Sequence, residues 1–181
     1  MRHSIALFTR PFYFLRHGET ETNASQLIAG SIDTELTALG RKQALQAAAL
    51  LAKEPITAVY SSALRRARDT AAPVADKLKL PIVVIPGLAE RTWGVLEGQP
   101  RASRIRTVTP AGAESTTAFT ERVFAALAQI DSDVPLIVGH SGVFRMLCHA
   151  LDIAQAKAPV TNALPLRFTP LAEGWQLEPL S

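Results

Sequence analysis

Three short segments of this 181-residue sequence carry the side chains best suited to chemistry: Arg16-His17-Gly18, Ser61 to Arg66, and His140-Ser141. Together they supply two histidines, at least two arginines and several small residues. A guanidinium offers N–H donors in a fork that matches two phosphate oxygens. Backbone N–H groups at strand-to-helix turns add further anion binding. A histidine set among cations has its charged form disfavoured, so its pKa falls. The neutral imidazole is then a nucleophile toward phosphorus. No cluster of carboxylates marks a magnesium site, and no glycine-rich phosphate loop is present. The charge of a transferring phosphoryl group would therefore be balanced by Arg and His alone, and neither a metal nor another cofactor is expected.

Each segment closes an apolar run that reads as a strand: Phe12 to Leu15, Ala58 to Tyr60, and Leu136 to Val138. Pro81 to Ile85, rich in β-branched residues, reads as another. Helical spacing begins at Thr37, whose hydroxyl can cap the first turn, with Ala44, Ala47, Ala48 and Leu51 on one face. Ala67, Ala71, Val74 and Leu78 mark a second helix, in which Pro73 predicts a kink or a broken start. Glu114 to Ile130 predicts a third, and Val143, Met146, Leu147 and Ala150 a fourth. Residues 97–112 show no period and predict a loop. Leu166 to Thr169 and Trp175 to Leu177 predict two short edge strands. Alternating strands and helices imply an α/β domain on a mostly parallel sheet, in which ligands bind at the carboxyl ends of strands. The whole chain, 1–181, reads as one domain, with 1–10 as a short N-terminal extension.

The sequence also resembles the histidine phosphatase superfamily. Leu15-Arg16-His17-Gly18-Glu19-Thr20 with Asn23 resembles its signature. Gly30, Asp33, Leu36-Thr37, Gly40 and Gln43-Ala44 match the stretch that follows. Ser61 to Ala67 with Thr70-Ala71 is similar to the second motif, and Glu90, Gly94 and Glu97-Gly98 to the acid-bearing segment. Gly112, Glu114-Ser115 and Arg122 resemble the next helix. Val138 to Gly142 with Arg145 resembles the last motif, and Asn162 fits the usual C-terminal asparagine. The matches run from about residue 12 to 178, five ordered motifs in all.

The resemblance implies a three-layer α/β/α fold like that of phosphoglycerate mutase. It implies His17 as a nucleophile that becomes a phosphohistidine. Arg16, Arg66 and His140 would clamp the phosphoryl oxygens, Asn23 would add a hydrogen bond, and Ser141 would line the same site. Glu90 would protonate the leaving oxygen and then deprotonate the attacking water. Arg65 and Arg68 compete with Arg66 for the clamp, and spacing before Ala67 favours Arg66. Three departures stand out. Glu35 replaces a common proline. Ser141 stands where glycine is usual and acid phosphatases carry aspartate. Only thirteen residues separate Gly98 from Gly112, too few for the helical cap of many relatives, so the expected site is open.

Composition sets the remaining bounds. Hydrophobic residues make up 48% and charged residues 19%, which suits a packed globular domain and excludes long-range disorder. The net charge of +3 permits an anionic substrate without demanding nucleic acid. Arg101, Arg104 and Arg106 form the densest basic group, read either as a solvated loop or as a rim for a phosphorylated substrate. The single cysteine, Cys148, lies in an apolar helical stretch and reads as core. His3 and His149 read as structural or exposed, and Trp93 as packing. No apolar run approaches the ~20 residues of a membrane span, and the apolar start Ile5 to Phe8 is too short for a signal peptide. A cytoplasmic phosphomonoesterase acting on a phosphorylated small molecule or a phosphoprotein is the expectation. Phosphoglycerate mutase and phosphohistidine protein phosphatase are the alternatives. A non-catalytic binding module is disfavoured, because every catalytic position is filled. The sequence leaves oligomeric state open.

Overall fold

The computed structural model describes residues 5–105, 108–154 and 160–181. Six strands form one sheet in the order β3-β2-β4-β1-β5-β6. They are β1 (Phe12–Arg16), β2 (Ala58–Ser61), β3 (Ile82–Val84), β4 (Pro135–Gly139), β5 (Pro165–Pro170) and β6 (Trp175–Pro179). The β3-β2-β4-β1 half is parallel and β5-β6 is added antiparallel. Among the described residues five α-helices accompany them: α1 (Glu21–Ala24), α2 (Ala38–Leu51), α3 (Arg65–Leu78), α4 (Thr116–Leu127) and α5 (Ser141–Ala150).

The apolar runs at β1 and β4 are unbroken because helices cover both faces of the sheet. Successive side chains point to opposite faces. Phe12 and Phe14 pack with Val123 and Leu127 of α4 and Phe144 and Leu147 of α5. Tyr13 and Leu15 pack with Ala47 and Leu51 of α2 and Ala71 and Val74 of α3. The result is the expected α/β/α sandwich. Residues 5–10, read from sequence as an extension, place Ile5 and Leu7 in the first of these clusters.

Helix starts follow their caps. The Thr37 hydroxyl accepts the Gly40 N–H at 2.9 Å, and the Ser115 hydroxyl accepts that of Ala118 at 3.0 Å. The α4 helix is shorter than its apolar spacing suggested, although Ile130 beyond its end is still buried. Two expectations are corrected. Helix α3 runs unbroken through Pro73. The hydrogen bond that proline removes falls at Asp69, an exposed residue, while Ala67, Ala71, Val74 and Ala75 keep the inner face packed. Strand β5 is not an edge: it lies between β1 and β6, and its Phe168 is fully buried, stacked on Phe12 at 4.5 Å between ring centroids. The sheet edges are β6 and β3. The described residues of the 97–112 stretch form a loop, apart from one 3₁₀ turn at Arg101–Ser103. Arg106 and His3 lie outside the described residues.

Candidate active site

Strand β1 delivers Arg16 and His17 at its carboxyl end. The His17 N–H donates to the Gly139 carbonyl at 3.0 Å, which ties the end of β1 to that of β4. Gly18 follows, its N–H donating to Thr70 Oγ1 at 2.9 Å. A side chain at position 18 would sit 2.5 Å from the Gly40 carbonyl oxygen, so the turn requires glycine.

The His17 ring is buried, and its Nδ1 lies 2.8 Å from the Gly18 carbonyl oxygen. A carbonyl only accepts, so Nδ1 carries the proton and the lone pair resides on Nε2. Burial, then His140, Arg66 and Arg16, hold the His17 pKa well below 6.5. The imidazole is neutral across the ordinary pH range.

The His140 ring lies 5.3 Å from that of His17 between centroids. Its Nε2 is 2.7 Å from Ser62 Oγ, while Nδ1 is buried without a hydrogen-bond partner. Burial first, then Arg66 and Arg16, keep this histidine neutral too.

Two guanidiniums, that of Arg66 buried and that of Arg16 partly so, complete the cationic wall. Arg16 Nη1 donates to the Val160 carbonyl at 2.7 Å. Arg66 donates to the Ile32 carbonyl at 2.7 Å and the Gly30 carbonyl at 2.8 Å. In both residues Nε is buried with no partner. Each thus keeps one N–H aimed at nothing the protein supplies, where an anion oxygen would satisfy it. Burial pulls the Arg16 pKa down to about 10, and burial also lowers that of Arg66.

Arg66 owes its position to the loop before α2. Helix α3 has no side-chain cap at Leu64. Instead Asp33 Oδ1 accepts the Arg65 N–H at 2.7 Å, and Glu35 pairs with the Arg65 guanidinium. The same loop supplies the Gly30 and Ile32 carbonyls. Glu35, the residue in place of a common proline, is therefore a tie to α3. Of the three arginines that sequence left in competition, Arg66 is buried while Arg65 and Arg68 are exposed.

Glu90 is held by three donors. The Arg91 N–H reaches Oε1 at 2.9 Å, the Gly142 N–H reaches Oε2 at 3.0 Å and the Ser141 hydroxyl reaches Oε2 at 3.2 Å. Burial pushes its pKa up. The Arg91 N–H, the Arg145 charge, the Gly142 N–H and Arg66 outweigh that effect, and the net shift is downward. Glu90 in turn acts electrostatically on Arg16 and Arg66, the same cations that act on His17. A side chain at Gly142 would lie 2.0 Å from Glu90 Oε1.

Asn23 Oδ1 accepts from Asn162 Nδ2 at 3.0 Å and from the Thr20 N–H at 3.3 Å, and Asn162 Nδ2 also donates to the His17 carbonyl at 2.8 Å. With its oxygen so committed, the Asn23 amide turns Nδ2 the other way. The structure thus draws Arg16, His17, Arg66, Glu90 and His140 into one electrostatic cluster. It links Asn23 to the His17 backbone through Asn162, and places Ser141 against Glu90. Sequence reasoning assigned no role to Ser62, Thr70 or Gly142. The signals were their places in the second and last motifs and their position: Ser62 follows the end of β2, Thr70 lies one turn after Arg66, and Gly142 lies in the first turn of α5. Cys148 is fully buried, with its thiol pushed up to about 12, and His149 is exposed.

Comparison with known proteins agrees with this geometry. The pattern of the histidine phosphatase superfamily (branch 1) matches residues 12–178, and the chain belongs to that family. It is 36% identical over 171 residues to the metal-independent phosphoserine phosphatase of Arabidopsis thaliana, covering 82% of this chain and 71% of that one. It is 37% identical over 154 residues to phosphoglycerate mutase-like protein 4 of the same plant, covering 74% of this chain and 67% of the relative. The solved structure of a mycobacterial glucosyl-3-phosphoglycerate phosphatase complexed with VO3 superposes with a TM-score of 0.78 at 27% identity, covering 93% of this chain and 97% of that one. The protein is a phosphatase of this superfamily. Among the described residues, no helix is long and apolar enough to cross a membrane, and no group of three or more His, Cys, Asp or Glu could hold a metal ion.

Proposed function

We propose that the protein hydrolyses phosphomonoesters through a phosphohistidine on Nε2 of His17, with Glu90 as acid and then base. The observation that carries this reading is the buried, neutral His17 with Nδ1 committed to Gly18 and two half-satisfied arginines beside it. The lone pair of Nε2 attacks phosphorus as the bond to the ester oxygen breaks, and Glu90 protonates the departing alkoxide. Glu90 is ionised in the free protein. An arriving phosphate dianion adds a like charge nearby, which raises the carboxyl pKa and lets it take up the proton it will donate. Water then attacks the phosphohistidine, Glu90 takes its proton, and the N–P bond breaks to release phosphate and neutral imidazole. Throughout, Arg16, Arg66, His140 and Asn23 balance the charge on the phosphoryl oxygens.

The test is trapping of an acid-labile phosphoenzyme. Wild type incubated with p-nitrophenyl phosphate in EDTA should turn over and label, while His17→Ala should do neither. Labelling that persists in the variant would remove His17 as the nucleophile. The likeness to a mutase-like relative supports a second reading, transfer of the phosphoryl group to another alcohol. The short 98–112 loop weighs against the water exclusion this requires. Rapid interconversion of 2- and 3-phosphoglycerate primed by 2,3-bisphosphoglycerate would establish it.

A further inference from the structure

His140 is fully buried and neutral, so its ring holds one N–H and one lone pair. Where that proton sits matters. An N–H facing an arriving phosphoryl oxygen attracts it, and a lone pair repels it. The tautomer of a histidine is set by the bond its other nitrogen makes. Nδ1 has no partner in the protein, so the choice falls to Nε2, 2.7 Å from Ser62 Oγ.

The surroundings of Ser62 decide the direction of that bond. The residue is fully buried, and its N–H donates to the Val138 carbonyl at 3.2 Å. Ser62 is thereby anchored to β4, whose end leads into His140. Its Oγ already accepts the Leu64 N–H at 3.3 Å. A hydroxyl carries one proton, and a buried hydroxyl needs an acceptor for it. Among the described residues the structure gives this one no acceptor except Nε2 of His140. The opposite arrangement, with Nε2–H donating to Oγ, would strand the hydroxyl proton and leave Nδ1 a lone pair. With Nε2 engaged, Nδ1 is the ring nitrogen left for a phosphoryl oxygen.

We infer that Ser62 is a positioning residue of this site: its hydroxyl donates to Nε2 of His140 and so holds the ring proton on Nδ1, as a donor to the phosphoryl group. The inference rests on the phosphatase reading and adds a residue that acts through His140. His17 and His140 then share one tautomer and present opposite ends of it, a lone pair from the first and an N–H from the second.

Two measurements test this. NMR of the His140 ring nitrogens near neutral pH, assigned through the His140 backbone, should show Nδ1 protonated and Nε2 bare. Ser62→Ala should move Nε2 toward the protonated form. The second measurement is a double-mutant cycle on p-nitrophenyl phosphate hydrolysis. In His140→Asn the side-chain amide places an N–H where Nδ1–H stood, and it needs no hydroxyl to keep its proton there. Ser62→Ala should lower kcat about tenfold in the wild-type background, the scale of one hydrogen bond. In the His140→Asn background the same change should cost less than about twofold, because the two residues are coupled. Ser62 also accepts the Leu64 N–H at the entry to α3, and a merely structural role there would cost the same in both backgrounds. Equal losses would overturn the inference and leave the phosphatase reading intact, and so would an Nε2–H tautomer in wild type. The wild-type spectrum decides the point even if Ser62→Ala does not fold. Failure to hydrolyse any phosphomonoester would overturn both readings.

Discussion

The chemistry of the site turns on protons that the buried residues refuse. His17 and His140 are held neutral well below 6.5, whereas in the unfolded chain each titrates near that value. Above pH 6.5 neither state binds the proton and these residues leave stability flat. As pH falls below 6.5 the unfolded chain takes up protons that the fold does not, so stability must fall. The slope is up to ~1.4 kcal/mol per pH unit for each histidine. Urea unfolding at pH 7.5, 6.5 and 5.5 should show the loss, and His17→Asn with His140→Asn should flatten it. An equally steep curve in the double variant would mean the titrating groups lie elsewhere. Glu90 offers a second handle. Ser141→Ala removes one of its three donors, so its carboxylate becomes more basic. The alkaline limb of the kcat/KM profile, where the proton that Glu90 must donate is lost, should move to higher pH, and an unmoved limb would show that the two backbone N–H groups suffice.

Elements place these residues, and here the sequence was unevenly legible. The apolar runs at β1, β2 and β4, with Thr37 as a cap, announced themselves because strand alternation and helix capping are local. Motif spacing could single out Arg16, His17, Asn23, Arg66, Glu90, His140 and Ser141 as candidates, because spacing survives in the sequence as spacing. The interior position of β5 was not legible, since six residues cannot say whether a neighbour lies on one side or both. Nor was the purpose of Glu35, because its partner Arg65 is thirty residues away and meets it only after α3 has folded. The pair is exposed, so its own worth is within ~1 kcal/mol. Its value lies in steadying the loop whose carbonyls hold Arg66. The Asp33 cap does the same from the backbone side. Asp33→Ala should cost about 1 kcal/mol of stability, as cap losses do. It should also raise KM more than it lowers kcat, because Arg66 loosens before the nucleophile does. A variant with unaltered KM would detach the loop from substrate binding. At the start of α5 the tolerance is tighter. Gly142→Ala drives a methyl group against Glu90 and should reduce kcat about a hundredfold, the usual effect of a 1 Å displacement of a reacting group. Near-normal turnover would show that Glu90 can shift and still work.

At the scale of the whole molecule, cations from β1 and α3 and neutral imidazoles from β1 and β4 converge at one end of a single sheet. The arrangement needs no further group to balance a phosphoryl dianion, so turnover of p-nitrophenyl phosphate should be unchanged by a chelator. A loss of activity restored by a divalent cation would contradict it. The sheet order also has a consequence for motion. Strand β1 has β4 on one side and β5 on the other, with helices over both faces. Its amides should therefore exchange with deuterium only on global opening, while those of residues 93–105, bonded within turns and to neighbouring loops rather than in the sheet, exchange sooner. The nitrogen proposed to attack phosphorus therefore follows directly on a strand that is paired on both sides. Any adjustment to a differently shaped phosphoester has to come from the rim.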